Sequence, residues 1–178
     1  MLGLAASLVL LYSGLFKTVI MDPSAQLPSV PVEILRSSAL GGSIIDFLLG
    51  GVLNSPYGSL VNLHPLAIAG FAGMVTNALS LVPIGNTDGG RISLAFFGRS
   101  FSRAIQVAAA VILVSANLFG ADPANILLGY VVFTQIWQSE PEVPCRNEVD
   151  ELDLVRGFAA IALWTLVILI LVPMPIQQ

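Results

Sequence analysis

The chain has 178 residues, 56% of them hydrophobic and 10% charged, with a formal net charge of -4, and its mean hydropathy is +0.87. That is far more apolar side chain than a soluble domain of this size can hide, so composition indicates an integral membrane protein whose first partner is the lipid bilayer. No basic, aromatic-interleaved surface suits nucleic acid. A single cysteine, Cys145, excludes an internal disulfide and any multi-cysteine metal cluster.

Leu2 to Ile20 is long enough to span the hydrocarbon, with Lys17 near one end where it can snorkel to the headgroups. It lacks a basic leading region and a small-x-small cleavage site before Asp22-Pro23, so it reads as a membrane helix rather than a signal peptide. Pro23, Pro28 and Pro31 make the following stretch a predicted loop. Ile34 to Leu53 is apolar but interrupted by Arg36, Gly41-Gly42, Asp46 and Gly50-Gly51, which suits a broken, re-entrant or interfacial segment as well as a span. Asp46 there either pairs with a neighbouring helix or lies at an interface.

His64-Pro65 opens the next predicted helix, Leu66 to Pro83, because proline is tolerated in a first turn. Ala69, Gly73 and Asn77, with Gly70 beside them, place small residues along one side. Such a stripe serves helix packing, or leaves room for an extended substrate segment or a ligand-bearing helix. A loop is predicted over Gly85 to Arg103, then helices over Ala104 to Gly120 and Ala124 to Gln138, turned by Asp122-Pro123. Glu140 to Asp153 holds six acids, a solvated loop that accounts for most of the negative charge, and Phe158 to Val172 is the last apolar helix.

The expected fold is therefore all-α, a polytopic helical membrane protein of about four to six membrane segments forming one membrane domain over residues 1–178. If the hairpin spans twice, Arg91, Arg99, Arg103, Arg146 and Arg156 fall on one face, five of the seven basic residues, which marks the cytosolic or equivalent side. Arg91, Arg99 and Arg103 are expected to set topology and touch lipid headgroups.

Asp88, in Asn86-Thr87-Asp88-Gly89-Gly90-Arg91, is the leading candidate for chemistry. A carboxylate at the edge of an apolar segment is costly to desolvate and needs a partner or a task. In isolation Asp-Gly-Gly is a turn, since glycine supplies positive φ. In this setting the paired glycines would let the backbone fold against a neighbouring helix while the carboxylate points inward.

Asn77-Ala78-Leu79-Ser80-Leu81-Val82-Pro83-Ile84-Gly85 followed by Asp88-Gly89-Gly90-Arg91 resembles the second signature of the site-2 protease family of intramembrane zinc metalloproteases. Together with Pro141-Glu142-Val143-Pro144-Cys145-Arg146-Asn147-Glu148, it is most similar to the plastid branch known as ethylene-dependent gravitropism-deficient and yellow-green proteins. The resemblance implies a chloroplast membrane location, zinc-activated water attacking a peptide bond of a membrane-protein substrate, and Asp88 as a metal ligand. Asn77, Ser80, Pro83, Gly89 and Gly90 then support the motif, with Ser80 standing where the family usually has asparagine.

In that family a His-Glu-x-x-His helix supplies two further ligands and the general base. This chain has one histidine, so that helix cannot lie within it. The resemblance thus implies the C-terminal portion of the protease, inactive by itself: zinc belongs to the complete enzyme, and none is expected on this chain alone. A missing N-terminal half would carry the histidines. The alternative is a non-catalytic relative with a binding or regulatory role. His64 cannot complete the site, because a continuous helix to Pro83 sets the two ends about 28 Å apart; it reads as an interfacial or helix-start residue. A transporter fragment using Asp88 or Asp46 as an ion site would require a repeated half, and no repeat is visible.

Overall fold

The computed structural model describes residues 2–21, 27–56, 58–119, 126–137 and 154–174. Its elements in chain order are α1 (Leu2–Ile20), β1 (Ser29–Pro31), α2 (Val32–Arg36), α3 (Ala39–Leu49), a 3-10 turn (Val52–Asn54), β2 (Leu60–Asn62), α4 (Pro65–Ser80), α5 (Asp88–Phe119), α6 (Ile126–Trp137) and α7 (Leu154–Leu171). They form two compact units, one of residues 1–79 with 165–178 and the other of residues 80–164.

Helix dominates, as the apolar runs predict, but the fold is not purely helical. β1 and β2 form a two-stranded antiparallel sheet with Val30 opposite Val61 and Pro31 opposite Leu60. The flanking bonds, Leu63 N–H to Pro28 O and Val32 N–H to Ser59 O, make Val30 and Val61 the hydrogen-bonded pair. Pro31 therefore sits where the ladder needs no N–H, and the proline-rich stretch read as a loop can carry a strand. Among the described residues, one helix is long and apolar enough to cross a membrane: α1, 19 residues with mean hydropathy 1.7. At about 1.5 Å per residue it reaches about 28 Å, close to the hydrocarbon thickness. Only 28% of that span is buried, so most of its apolar surface faces outward. Residues 39–49, 65–80, 101–115 and 155–171 form shorter apolar helices.

In the first unit, α1 packs on α4 through backbone rather than side chain. A Cβ on Gly70 would lie 2.2 Å from the Leu11 nitrogen, and one on Gly14 would lie 2.1 Å from the Ala67 nitrogen. The small residues of α4 thus serve helix packing, with α1 as the occupant of the face, while Ala69 lies outside the contact and is exposed. The broken segment after Ile34 resolves into α2, α3 and the 3-10 turn. Ser38 caps α3 by accepting from the Gly41 N–H at 3.0 Å, and Gly50 ends it in the left-handed region at φ 72°. The chain after α7 docks on the same junction: Ala39 N–H donates to Val172 O at 2.7 Å, and Met174 N–H to Arg36 O at 2.9 Å. An orphan donor at the start of one helix is thereby satisfied by a carbonyl just beyond the end of another.

In the second unit, the predicted loop over Gly85 to Arg103 is helical from Asp88 onward, so Arg91, Arg99 and Arg103 lie on α5. Serines, arginines and glycines gave that stretch a loop composition. A cap at Thr87 starts the helix regardless, and Gly98, at φ 70° and ψ 174°, breaks it in a region that only glycine adopts readily. The break is bridged by buried hydroxyls, with Ser102 Oγ donating to Ser93 Oγ at 3.2 Å. On the N-terminal side of the break, Phe97 stacks on Trp164 at 5.8 Å between ring centroids.

Candidate functional site

The motif residues of the second unit build one tight turn. Ser80 ends α4, and the chain reverses through Leu81 to Thr87, with Leu81, Val82, Ile84 and Thr87 buried. Ile84 N–H donates to Val82 O at 2.8 Å, an i to i+2 bond that centres a γ-turn on Pro83. The proline ring holds φ near the value this turn needs, and the lost N–H is not required there.

Thr87 holds the turn to the helix that follows. Its Oγ1 donates to the carbonyls of Val82 at 2.9 Å and Ile84 at 2.8 Å, and accepts from the Gly90 N–H at 3.2 Å. Its own carbonyl accepts from the Arg91 N–H at 3.0 Å, so Thr87 is the N-cap of α5 and Asp88 the first helical residue.

Gly89 and Gly90 are required by close approach to this turn, not to a neighbouring helix. A Cβ on Gly89 would lie 2.0 Å from Leu81 O, and one on Gly90 would lie 2.1 Å from Gly85 O. The Asp88 side chain is exposed rather than directed inward. A first-turn carboxylate complements the positive end of the helix dipole, which explains its position without any ligand. The same exposure leaves its oxygens accessible to one.

Other candidates are placed elsewhere. Asn77, in the first unit, uses its amide in the α1–α4 contact: Nδ2 donates to Gly73 O at 2.7 Å and Ser7 Oγ at 3.2 Å, while Ser7 Oγ donates to Gly3 O at 2.7 Å. His64 is a helix-start residue, with Nδ1 accepting from the Leu66 N–H at 3.1 Å. Asp46 neither pairs with another helix nor lies idle: its Oδ1 accepts from the Leu53 N–H at 2.8 Å and closes the 3-10 turn. Arg36 Nε donates to Leu53 O at 3.0 Å across the same turn. The acidic stretch from Glu140 to Asp153, with Cys145 and Arg146, lies outside the described residues. Thr87 was missed by sequence reasoning, though it was legible as Thr-Asp-Gly-Gly ahead of an apolar run, a capping pattern.

Asp88 supplies one accessible carboxylate. Among the described residues no three His, Cys, Asp or Glu side chains come together to hold a metal. A catalytic zinc needs three protein ligands and an open position for water, so it does not fit these residues alone.

Comparison with known proteins extends the resemblance along the chain. It is 33% identical over 172 residues to "Probable zinc metalloprotease EGY1, chloroplastic" of Arabidopsis thaliana, a match covering 96% of this chain and 30% of that protein. It is 28% identical over 174 residues to "Probable zinc metalloprotease EGY2, chloroplastic" of the same plant, covering 97% of this chain and 30% of that protein. "Probable zinc metallopeptidase EGY3, chloroplastic" of Arabidopsis thaliana is 35% identical over 102 residues, 57% of this chain and 17% of that protein. No family model and no solved structure matches. The chain spans about a third of the length of the curated relatives it matches over nearly its whole length. Along the stretch they share, this protein is a homologue of the chloroplast EGY-type zinc metalloproteases.

Proposed function

We propose that this chain is the C-terminal, aspartate-bearing part of a zinc-dependent intramembrane endopeptidase of a plastid membrane, acting on membrane-embedded protein substrates. Its own contribution is Asp88 as one metal ligand. The His-Glu-x-x-His helix comes from sequence outside these 178 residues. The observation that carries this reading is the presentation of Asp88: an exposed carboxylate on the first residue of α5, after a turn whose proline, threonine and paired glycines each have a geometric reason to be there. The printed names of the relatives, all zinc metalloproteases or metallopeptidases, support the reaction class. The outward-facing apolar surface of α1 supports the membrane setting.

The single histidine in the sequence favours a second reading, a non-catalytic relative that keeps the fold and binds or regulates a membrane protein. Zinc content separates the two. The purified full-length protein is expected to carry about one zinc per chain and to lose it in Asp88→Asn, while the 178-residue chain alone carries none. Full-length protein without zinc supports the non-catalytic relative. Tight zinc binding by the 178-residue chain, or retention of zinc in full-length Asp88→Asn, overturns the assignment of Asp88.

A further inference from the structure

Ser93 and Ser102 are both buried, and they hydrogen-bond each other although nine residues separate them. In one continuous helix that spacing is about two and a half turns, which would put the two serines on opposite faces and about 13.5 Å apart along the axis. An Oγ–Oγ distance of 3.2 Å therefore requires α5 to bend sharply between them, with both hydroxyls inside the bend. Gly98 supplies the bend through its backbone alone, since a Cβ there would meet nothing within 4 Å. Gln106 Nε2 donates to Ser102 Oγ at 3.2 Å and extends the clasp along the second half of the helix. Ser7, Thr18, Thr76 and Ser115 instead bond a carbonyl of their own helix one turn back. Ser93 and Ser102 thus differ from them in joining two halves of a broken helix. Phe97 adds an aromatic bridge, stacking on Phe101 across the break at 6.2 Å between ring centroids.

We propose that Ser93 and Ser102 are positioning residues for Asp88: their bond sets the angle at Gly98 between residues 88–97 and 99–119, and so the place at which the first half presents the carboxylate. The role rests on the reading of Asp88 as a functional group. Thr87 caps this first half, and Gly89 and Gly90 seat it directly on the Leu81 and Gly85 carbonyls, so the turn and residues 88–97 form one piece. The angle at Gly98 then decides where that piece stands relative to the rest of α5. Asp88 lies ten residues from the break, about 15 Å of helix. A tilt of about 10° at Gly98 would displace it by about 2.6 Å, several times the roughly 0.5 Å within which a functional group must be held. An apolar contact inside the bend could slide, whereas a hydroxyl pair is directional and fixes one arrangement.

The test uses the full-length protein in detergent, with Cys145 and every other cysteine replaced by serine. Spin labels on Ala95→Cys and Ala108→Cys, both exposed positions, report the bend as a distance distribution by pulsed electron paramagnetic resonance. In a separate Asp88→Cys variant, the rate of labelling by a charged thiol reagent reports how position 88 is presented. The parent protein is expected to give one narrow distance. Ser93→Ala and Ser102→Ala are each expected to raise the share of other distances about 5-fold, the factor that corresponds to loss of a neutral hydrogen bond of about 1 kcal/mol. Labelling at position 88 is expected to change by a similar factor. Ser102→Thr, which keeps the hydroxyl, restores both, and hydrogen exchange of the α3 amides is unchanged in every variant, which separates positioning from general destabilisation. Distances and labelling in Ser93→Ala and Ser102→Ala that match the parent overturn the proposal, as do altered distances with unaltered labelling, or faster exchange that extends to α3. Zinc content of full-length Asp88→Asn judges the ligand reading independently: retained zinc removes Asp88 as ligand even where Ser102→Ala loosens the bend.

Discussion

The α1–α4 contact and the turn before α5 solve close approach in opposite ways. In the first, Gly14 and Gly70 remove side chains so that two helix backbones meet, and a single polar cluster of Gly3, Ser7, Gly73 and Asn77 closes one end. In the second, glycines also remove side chains, but the contact is to the carbonyls of a turn, and the Thr87 hydroxyl adds a donor to two carbonyls of that turn, Val82 O and Ile84 O. Helix carbonyls are already bonded within their own helix, so helix-on-helix packing needs only space. A reversing turn has no helical ladder to pair its carbonyls, so they take their donors from short-range backbone bonds and from side chains such as Thr87. Space alone therefore makes the helix contact, whereas the turn combines space at Gly89 and Gly90 with the hydrogen bonds of Thr87.

The largest expected effect comes from refilling the space at both contacts. Gly89→Ala and Gly70→Ala each place a methyl group against backbone that cannot rotate away, and each is expected to cost about 3 kcal/mol, the upper part of the usual range for overpacking. Thermal unfolding in detergent measures it. A change below about 1 kcal/mol at Gly70 would show that α1 slides on α4 without penalty and would erase the contrast.

The polar end of the helix contact should matter less. A double-mutant cycle of Ser7→Ala and Asn77→Leu is expected to return a coupling of about 0.6 kcal/mol, the average for polar pairs between membrane helices. Coupling several times larger would place the specificity of that contact in the Ser7–Asn77 pair rather than in glycine.

The smallest effect tests the exposed rim of the first unit. The backbone N–H of Gly58 donates to the Glu33 carboxylate and holds its pKa below the usual carboxylate value. A depressed pKa adds stability that is present above the unfolded carboxylate's pKa and lost as the pH falls through the lowered, folded one. Stability measured from pH 7 down into the acid range should therefore decline in the parent protein, with Glu33→Gln removing part of that decline. An unchanged acid profile in Glu33→Gln would show that this bond contributes nothing measurable.

Much of this was legible in the chain because the signals were local. Apolar runs of membrane length fixed α1, Pro65 after His64 marked the start of α4, and Asn77 through Arg91 carried the family signature. Where reading failed, the deciding partner was distant or the composition misled. Asp46 looked uncomfortable in an apolar run because its partner, the Leu53 N–H, exists only once the chain turns back. The stretch after Asp88 looked like a loop because helix formation there depends on one threonine cap outweighing two glycines.

By itself the sequence determined that the chain is strongly apolar, that it carries one histidine and so cannot hold a His-Glu-x-x-His helix, and that the stretch around Asp88 resembles a protease signature. Only the tertiary structure decided that α1 fills the small-residue face of α4, that Gly89 and Gly90 serve the preceding turn, and that Thr87 caps the helix that begins at Asp88. The reason is range. Composition and spacing report what each segment can bury or turn, whereas the identity of a hydrogen-bond or packing partner depends on which segments the folded chain brings together.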